Sequence, residues 1–531
     1  MSRFTGETVK RWVADIVDTL GRERRNIDEL NVFPVADADT GTNMYFTVRA
    51  GAGAVRDLAA DAPVGHLLDA FAVGAMRGAR GNSGLILGVA LQGFARAFRA
   101  DAAPADGESD GGPGADAAAI AEALESANAR AWESVTEPVN GTMLTVLSEA
   151  ARAASGAATE DGTAAVLACC VDAARTALNA TEVQLGVLTR AHVVDAGGVG
   201  VLRLLEALAR SLDAPVPPGS VRFSRAVTDT ETEYGYEIIG ELGAADTSRL
   251  TADLVRLGGT SMVVADGGER AATVHVHVPD RDAARGGVEA INRYGTIRRV
   301  RVSSLVAGRG AAADKDPGLI AVSNGSGLTA TFALAGAEVL PSGKDPTSMV
   351  RQMRETIESL GARDVVVLPN SPITLAVALD IQARNTIIDG QIRVIPSRSD
   401  VQSLAAAAVF DDTAPLDTVT AAMTDAAEAT RHGEVLVATT AGCNAVVGSW
   451  QAGDVLGRID ATVRMRGRRV EEIAGAVLAE LAGRGAELVT FVRGEACPDG
   501  LVAALADRQG PDVEITVLDG SSDSALQIGV E

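Results

Sequence analysis

The spacing of apolar residues changes near residue 213, and this change limits how the chain can fold. Before it, apolar side chains recur every three or four residues, as at Val9, Trp12 and Ile16, which predicts amphipathic helices. After it, short apolar runs alternate with helical stretches, which predicts strands and helices in turn. A proline-rich segment, 213–219, lies at the change and is a candidate linker. An all-helical domain at 1–212 is therefore expected to precede domains that contain β-sheet.

The rest of the chain is long enough for two more domains, because one hydrophobic core rarely exceeds about 250 to 300 residues. Residues 220–307 read as strand, helix, strand, strand, helix, strand, the order of a small α+β domain of the ferredoxin-like kind. Apolar strands at 365–368 and 435–438 alternate with helices in residues 318–531, as in a parallel α/β sheet. A glycine-rich stretch, 308–318, is the second candidate linker.

The overall composition excludes several classes of protein. A net charge of -23 argues against a nucleic-acid partner, because phosphate backbones are held by clustered lysine and arginine. Apolar residues make up 47% of the chain, yet none of their runs approaches the ~20 residues of a transmembrane helix. The N-terminus has no apolar signal-peptide core, and the four cysteines show no CxxC spacing. A cytoplasmic protein with reduced thiols is expected.

The segment from residue 31 to residue 43 reads NVFPVADADTGTN and places Asp37 and Asp39 just before a predicted helix. Carboxylates at a tight turn suit Mg²⁺, which prefers one or two of them together with phosphate oxygens and water. The helix that follows Gly41 would direct its first backbone amides at an anion. An acidic helix cap is the alternative interpretation of the Asp-x-Asp pattern alone.

Three further segments combine glycine with short polar side chains. Residues 79–84 read ARGNSG, residues 141–144 read GTML and residues 195–198 read DAGG. Glycine lets a polyphosphate approach the backbone closely, and Asn82 and Ser83 offer hydrogen-bond donors. Each segment taken singly is more typical of a turn between helices than of a binding site.

In this order and spacing, the four segments closely resemble the ATP-binding domain of the dihydroxyacetone kinase family (DhaL type), as found in fatty acid kinases. The family has glycine where this chain has Ala38, a change that is tolerated unless the turn requires a positive φ. The resemblance implies an all-helical barrel in which aspartates hold two Mg²⁺ ions on the phosphates of ATP.

The same resemblance assigns the residues of the site. Asp37 and Asp39 are implied to be metal ligands and the catalytic residues, with Asn31 as a third oxygen ligand. The residues implied to contact ATP are Asn43, Ser83, Gly84, Thr142, Met143, Asp195 and Gly197. The chain would then be an ATP-dependent phosphotransferase with ATP and Mg²⁺ as cofactors.

Two histidines, His275 and His277, lie on a predicted strand whose period-two alternation puts both imidazoles on one face. In the related family a cysteine on a neighbouring strand joins this pair and can bind zinc. Glu237 stands in that region here, so the resemblance implies either an oxygen ligand to Zn²⁺ or loss of the metal. Two solvated or partner-facing histidines are the alternative interpretation.

Residues 318–531 resemble the DegV-like C-terminal region of the same family. The resemblance implies that a separate DegV-type carrier presents a fatty acid, whose carboxylate takes the γ-phosphoryl of Mg-ATP to give an acyl phosphate. A carboxylate needs no general base, which agrees with the absence of histidine from the four segments. Two alternatives stay open: a kinase for glycerone or another small polyol, and a nucleotide-binding scaffold without turnover. The oligomeric state also stays open, a homodimer included.

Overall fold

The computed structural model describes most of the chain in ten stretches. They are residues 4–34, 38–99, 113–157, 162–216, 235–268, 271–305, 317–343, 345–483, 486–520 and 524–531. The chain divides into unit 1, residues 1–280 with 304–313, and unit 2, residues 281–303 with 314–531. Residues 217–219 of the first candidate linker and most of the second lie outside the described residues, and Asp37 lies outside them as well.

The first part of unit 1 is helical throughout its described residues, as the apolar spacing predicts. Its helices are α1 (Gly6–Asp28), α2 (Thr40–Arg56), α3 (Val64–Arg77), α4 (Gly81–Arg96), α5 (Pro113–Ser134), α6 (Met143–Gly156), α7 (Thr163–Gln184), α8 (Gly186–Ala191) and α9 (Ala196–Ser211). They share one hydrophobic core. Within the described residues, no helix combines the length and the apolarity that crossing a membrane requires.

The first helix shows how local sequence and the core cooperate. Thr5 and Thr8 form a capping box: the Thr5 backbone N–H donates to Thr8 Oγ1 over 2.7 Å, and the Thr8 N–H donates to Thr5 Oγ1 over 3.4 Å. One turn further on, Trp12 is buried and its indole N–H donates to the carbonyl oxygen of Leu204 in α9 over 3.1 Å. The apolar face of α1 is therefore held against α9 with its polar edge satisfied.

Buried ion pairs join α1, α7 and α9. Arg175 donates to Glu206 Oε1 over 2.6 Å, and Arg203 donates to Glu206 Oε2 over 2.8 Å. Arg203 also donates to Glu23 Oε2 over 2.8 Å. Both oxygens of the buried Glu206 carboxylate therefore accept from a guanidinium, which is the geometry that offsets the cost of burying charge.

Replacement of Glu206 by alanine is expected to lower the free energy of unfolding by about 3 kcal/mol, because it leaves buried guanidinium charge uncompensated. Urea-induced loss of helical circular dichroism measures the change. The matched control is Asp18→Ala, which removes the exposed Asp18–Arg22 pair and should cost no more than about 0.5 kcal/mol. Equal losses in the two variants would contradict a structural role for the buried pairs.

Unit 1 also contains three antiparallel strands and a helix. They are β1 (Tyr236–Ala245), α10 (Thr247–Arg256), β2 (Thr260–Gly268) and β3 (Ala271–Val278). The strand order is β2-β3-β1, with Val263 opposite His275 and Glu237 opposite His277. The two histidines are buried and share one face of β3, as the alternation predicts.

The first part of unit 2 is built on parallel strands. Its elements are α11 (Arg281–Tyr294), β4 (Gly295–Ser304), β5 (Gly318–Ser323), α12 (Ser326–Leu334), β6 (Glu338–Pro341), α13 (Pro346–Leu360), β7 (Val365–Leu368), α14 (Pro372–Ala383) and β8 (Ile392–Val394). These strands lie in the order β4-β6-β5-β7-β8, and the pairs β5–β6, β5–β7 and β7–β8 are parallel. From β1 to β4 the elements follow the order predicted for residues 220–307, although they fall in both units.

The last part of unit 2 departs from the predicted parallel sheet. Its elements are α15 (Asp400–Ala408), α16 (Leu416–Ala429), β9 (Arg431–Val437), β10 (Gly442–Asn444), β11 (Gly448–Trp450), β12 (Val455–Ile459), β13 (Thr462–Gly467), α17 (Val470–Ala482), β14 (Leu488–Arg493), α18 (Leu501–Ala506), β15 (Glu514–Asp519) and β16 (Ser524–Val530). The sheet order is β13-β12-β9-β16-β14-β15, and β9 runs antiparallel to both of its neighbours.

A tight turn joins one of the antiparallel pairs in this sheet. The hairpin from β12 to β13 turns on Asp460 and Ala461, whose φ angles are 48° and 64°. Two consecutive left-handed residues form the turn that joins antiparallel neighbours, but its usual sequence signal is Asn-Gly or Asp-Gly. Because neither residue is glycine, the hairpin gave no such signal, and the prediction of a parallel sheet around 435–438 was wrong.

Candidate functional site

Residues from all four glycine-containing segments line one pocket in unit 1. The pocket holds about 840 Å³ of empty space, including the part that is open to solvent. Its lining includes most of the residues predicted for the site: Asn31, Asp39, Asn43, Ser83, Thr142, Met143, Asp195, Gly197, Glu237, His275 and His277. The four glycine-containing segments and the histidine strand, which the sequence placed in separate domains, thus meet in one cavity.

The first segment presents Asp39 through a fixed helix start. Asp28, at the end of α1, accepts from the Thr42 backbone N–H over 2.9 Å and from Thr42 Oγ1 over 2.7 Å, which anchors the first turn of α2. Burial raises the pKa of Asp28 above its usual value. Gly41 lies so close to α1 that a Cβ would stand 2.2 Å from the carbonyl oxygen of Arg24. Asp39 is buried at the helix start, and its carboxylate does not cap α2.

The second segment brings the start of α4 against α2. Gly81 has a φ of 55°, and a Cβ there would stand 2.2 Å from Asn43 Nδ2, so only glycine lets Asn43 come this close. Asn82 and Ser83 line the pocket beside the first turn of α4. Gly84, which the resemblance placed at the phosphates, does not line the pocket. A Cβ on Gly84 would stand 2.4 Å from Thr47 Oγ1, so this glycine allows two helices to pack closely.

The third and fourth segments start α6 and α9. Thr142 caps α6, with its Oγ1 3.4 Å from the Leu144 backbone N–H. Asp195 caps α9, with its Oδ2 accepting from the Gly198 N–H over 2.6 Å. The Asp195 N–H in turn donates to Thr181 Oγ1 over 2.9 Å. Asp195 therefore has a structural role as a cap in addition to lining the pocket.

Ala38 adopts a backbone conformation that favours glycine. Its φ is 55°, in the left-handed region, so the condition under which the family's glycine matters is met here. A Cβ in this region costs roughly 1 to 2 kcal/mol. The turn that leads to Asp39 is therefore strained at Ala38.

Substitution of Ala38 by glycine is expected to raise the free energy of unfolding by about 0.5 to 1 kcal/mol, since the relief of strain outweighs the entropy gained by the unfolded chain. Chemical unfolding measures the change. The control is Ala54→Gly in the interior of α2, where glycine should instead cost about 0.5 to 1 kcal/mol. Loss of stability in both variants would show that the turn carries no strain.

Burial determines the charge of Asp195. Desolvation raises the pKa of its carboxyl from 3.8 to about 7, and hydrogen bonds from the backbone N–H groups of Gly198 and Met143 oppose the rise. Because the folded pKa exceeds the unfolded one, folding takes up a proton. The stability that the protonated carboxyl contributes is complete below pH 4 and is lost as the pH rises through 7.

In Asp195→Asn the side chain can still cap α9 but no longer titrates. The gain in unfolding free energy of this variant over the native chain should therefore grow from pH 4 to pH 8, reaching the order of 3 kcal/mol. Unfolding in urea across this range measures the difference. Asp246→Asn changes a more exposed helix cap and is the matched control. A comparable pH trend in the control would contradict the effect of burial.

Three buried side chains from β1 and β3 converge at one side of the pocket. Glu237 Oε1 lies 2.9 Å from His275 Nε2, and His275 Nε2 lies 3.1 Å from His277 Nε2. Their ligand atoms all lie within 4.8 Å of one another. Burial, reinforced by His275, lowers the pKa of His277 to about 3, so its imidazole is neutral. All three atoms lie close enough together for one metal cation to bind them.

The charged side chains in the described pocket lining are predominantly acidic. Its acidic side chains are Asp39, Glu137, Asp195 and Glu237, and none of the described lining residues is lysine or arginine. Among the described lining residues, a polyphosphate would meet backbone amides and short polar side chains, but no lysine or arginine to offset its charge. Cations held by carboxylates would supply that charge.

Several residues of the pocket lining were not predicted from the sequence. Glu137, Val135 and Val139 belong to the loop after α5, and Val263 belongs to β2. None lies in a glycine-containing segment. The position of Glu137 near the third segment was the only available signal, and nothing in the sequence indicated that β2 meets this loop.

Comparisons with known proteins agree with these features. Residues 34–210 match the DAK2 domain family, and residues 318–531 match the FakA-like C-terminal family of fatty acid kinases. The protein YloV of Bacillus subtilis is 27% identical over 527 residues, covering 92% of each chain. An uncharacterised protein of Staphylococcus saprophyticus is 26% identical over 563 residues, covering 98% of each chain.

Solved structures similar to part of the chain include two bacterial proteins. One is a DegV family protein of Corynebacterium glutamicum, which is 15% identical, with 40% of this chain and 97% of that chain covered and a TM-score of 0.31. The other is a Thermotoga maritima protein described as having fatty acid binding function, with 11% identity, coverages of 40% and 98%, and a TM-score of 0.30. These scores are too low to establish a common fold.

The helical part of unit 1, with its four segments around one pocket, is thus a DAK2 domain. The chain joins this domain to a C-terminal domain of the FakA-like fatty acid kinase family. This combination confirms the family resemblance that the sequence motifs indicated.

Proposed function

We propose that the chain transfers the γ-phosphoryl group of Mg-ATP to the carboxylate of a fatty acid that a separate DegV-type carrier presents, giving an acyl phosphate. The observation that carries this proposal is the pocket itself. Amides at the start of α4, short polar side chains and buried carboxylates surround it, and its described lining contains no lysine or arginine. The pairing of a DAK2 domain with a FakA-like C-terminal domain supports a fatty acid as acceptor.

The residues of the first segment fit Mg²⁺. Asp39 is buried at the start of α2 and lines the pocket, so its carboxylate can serve as an oxygen ligand there. Asn31 lines the same pocket, and we assign Asp37, two residues before Asp39, as the second carboxylate. Bound Mg²⁺ supplies the positive charge that offsets the γ-phosphoryl group during transfer.

The remaining residues position the nucleotide. Asn43, Asn82 and Ser83 offer donors beside the first turn of α4, where a helix N-terminus favours an anion. Met143 and Gly197 contribute apolar contact, and Thr142 and Asp195 hold the starts of α6 and α9 that frame the pocket. Positioning and charge neutralisation provide most of the catalysis in phosphoryl transfer, so this set of residues suffices without a protein nucleophile.

The histidine pair bears on the choice of acceptor. An alcohol such as glycerone benefits from a general base, and His275 and His277 lie in the pocket, which keeps a small-polyol kinase as the second candidate. A pKa of about 3, however, makes His277 a weak base. A carboxylate is already ionised at neutral pH and needs no base, so the acid acceptor fits this pocket better.

The decisive experiment supplies the purified chain with Mg-ATP and offers two acceptors in parallel. Fatty acid bound to a DegV-type carrier is expected to yield acyl phosphate, and glycerone is expected to yield little product. Efficient phosphorylation of glycerone with no turnover of carrier-bound acid would replace the proposal by the second candidate. Binding of ATP with no turnover of either acceptor would indicate a nucleotide-binding scaffold.

Asp39→Asn is expected to lower turnover at least 100-fold, because the amide is a poor ligand for Mg²⁺. The same change at Asp37 should act alike. Phosphoryl transfer to the carrier-bound acid measures the loss, and thermal unfolding checks that the fold is intact. The matched control is Asp57→Asn at the exposed end of α2, which should retain native turnover. Native turnover in Asp39→Asn would contradict the metal-ligand role.

We also propose that Glu237, His275 and His277 hold Zn²⁺. Tetrahedral zinc ligands at about 2.0 to 2.1 Å from the ion stand roughly 3.3 Å from one another. The observed separations of 2.9 and 3.1 Å are close to this value, and the atoms are buried. Three protein ligands leave a fourth position open, as in catalytic rather than structural zinc sites.

Elemental analysis of chain purified without chelator should find about one zinc per chain. His275→Ala should lower that content severalfold, since it removes the central ligand of the three. The control is His66→Ala, an exposed histidine of α3 outside the pocket, which should keep the native zinc content. Less than stoichiometric zinc in the native chain would instead favour two metal-free histidines.

A further inference from the structure

The loop after α5 is paired with strand β2. Val135 forms an antiparallel bridge with Val263. The backbone N–H of Thr136 donates to the carbonyl oxygen of Met262 over 3.2 Å, and Thr136 Oγ1 donates to the same oxygen over 3.1 Å. A single residue, Thr136, therefore makes two hydrogen bonds to one point of β2.

This point of β2 bears directly on the histidine cluster. Val263 stands opposite His275 in the β2–β3 register, so the two side chains share a face of the sheet. The side chain of Val263 is buried in the hydrophobic core of the helices and lines the pocket. Through two neighbouring strands, the loop after α5 is therefore linked to His275, which β1 holds from the other side.

The same loop leads to the third glycine-containing segment. Thr136 is followed by Glu137 and Val139, which line the pocket, and then by Thr142, the cap of α6. One short stretch of chain is thus anchored at β2 on one side and at the nucleotide pocket on the other. This stretch therefore links the histidine cluster to the nucleotide pocket. The sequence did not predict this connection.

We propose that Thr136 is a positioning residue. By holding Met262 and hence Val263, it fixes His275 and its partners against the phosphate side of the pocket, where Asp39 and Ser83 lie. It touches neither nucleotide nor acceptor. Its effect on phosphoryl transfer rests on the proposed function, whereas its effect on the placement of β2 does not.

Thr136→Val tests the effect on turnover. Valine keeps the shape and the backbone N–H but lacks the hydroxyl that donates to Met262. Because one hydrogen bond is lost, kcat for carrier-bound acid should fall about two- to tenfold. The dissociation constant for Mg-ATP, measured by calorimetry, should not change, since the four glycine-containing segments are untouched. The thermal unfolding midpoint should fall only by the small amount that the loss of one hydrogen bond causes. Thr136→Ser, which restores a hydroxyl, should recover kcat.

The matched control is Thr424→Val in α16, which removes a hydroxyl that donates to Thr420 within its own helix and does not line the pocket. It should leave kcat unchanged. Native kcat in Thr136→Val would overturn the proposal. A loss that serine does not restore, or that comes with weaker ATP binding, would overturn it as well.

A second measurement does not depend on turnover. Paired residues across an antiparallel bridge stand at a distance that a disulfide can span. Val135→Cys with Val263→Cys, treated with oxidised glutathione, should cross-link, as peptide mapping would detect. Adding Thr136→Val should slow the cross-link about two- to tenfold, because the loop leaves β2 more often.

Turnover and the rate of cross-linking together distinguish the positioning role of Thr136 from the proposed function. An unchanged rate of cross-linking would overturn the positioning role even if the chain phosphorylates a fatty acid. A slowed cross-link in a chain that phosphorylates no acid would contradict the proposed function while supporting the role of Thr136 in placing β2.

Discussion

The balance of charge in the pocket governs the rest of the site. Four acidic side chains line a cavity whose described lining contains no lysine or arginine. Such a cavity repels a polyphosphate unless cations enter with it, and the start of α4 alone supplies only partial charge. The turn that carries the buried Asp39 and the burial of Asp195 both bear on this balance. Asp39 is suited to hold a cation, and the raised pKa of Asp195 lessens the negative charge of the lining.

Glycine enters the site for two different physical reasons, and the sequence does not distinguish them. Gly81 has a positive φ and allows Asn43 to approach the start of α4. Gly84, three residues later, allows α4 to pack closely against Thr47 of α2. Interpreted from sequence, both glycines belonged to a phosphate-binding turn. The structure assigns helix packing to Gly84, because only backbone coordinates reveal what a Cβ would contact.

Much of the local structure could be predicted from sequence, because hydrophobic periodicity and caps are local signals. The strand 365–368 has the predicted bounds, and the elements from β1 to β4 have the predicted order. Pairing between distant segments could not be predicted, since it depends on turn geometry and on surfaces that the sequence does not encode locally. The hairpin at Asp460 and Ala461 lacks glycine, and its antiparallel sheet was therefore missed.

The most consequential non-local feature is that β3 reaches the pocket at all. From the sequence, the histidines belonged to a separate domain, and the acid acceptor was inferred from the lack of a base in the four segments.

Because His275 and His277 lie in the pocket, the acid acceptor can no longer be inferred from the absence of a base. It rests on the chemistry of a buried imidazole, because a histidine that burial keeps neutral is a poor base but a good metal ligand. Glu237 adds a third ligand atom within reach of both imidazoles. These three residues are therefore suited to hold a cation, and the carboxylate acceptor that we propose would not require them to accept a proton.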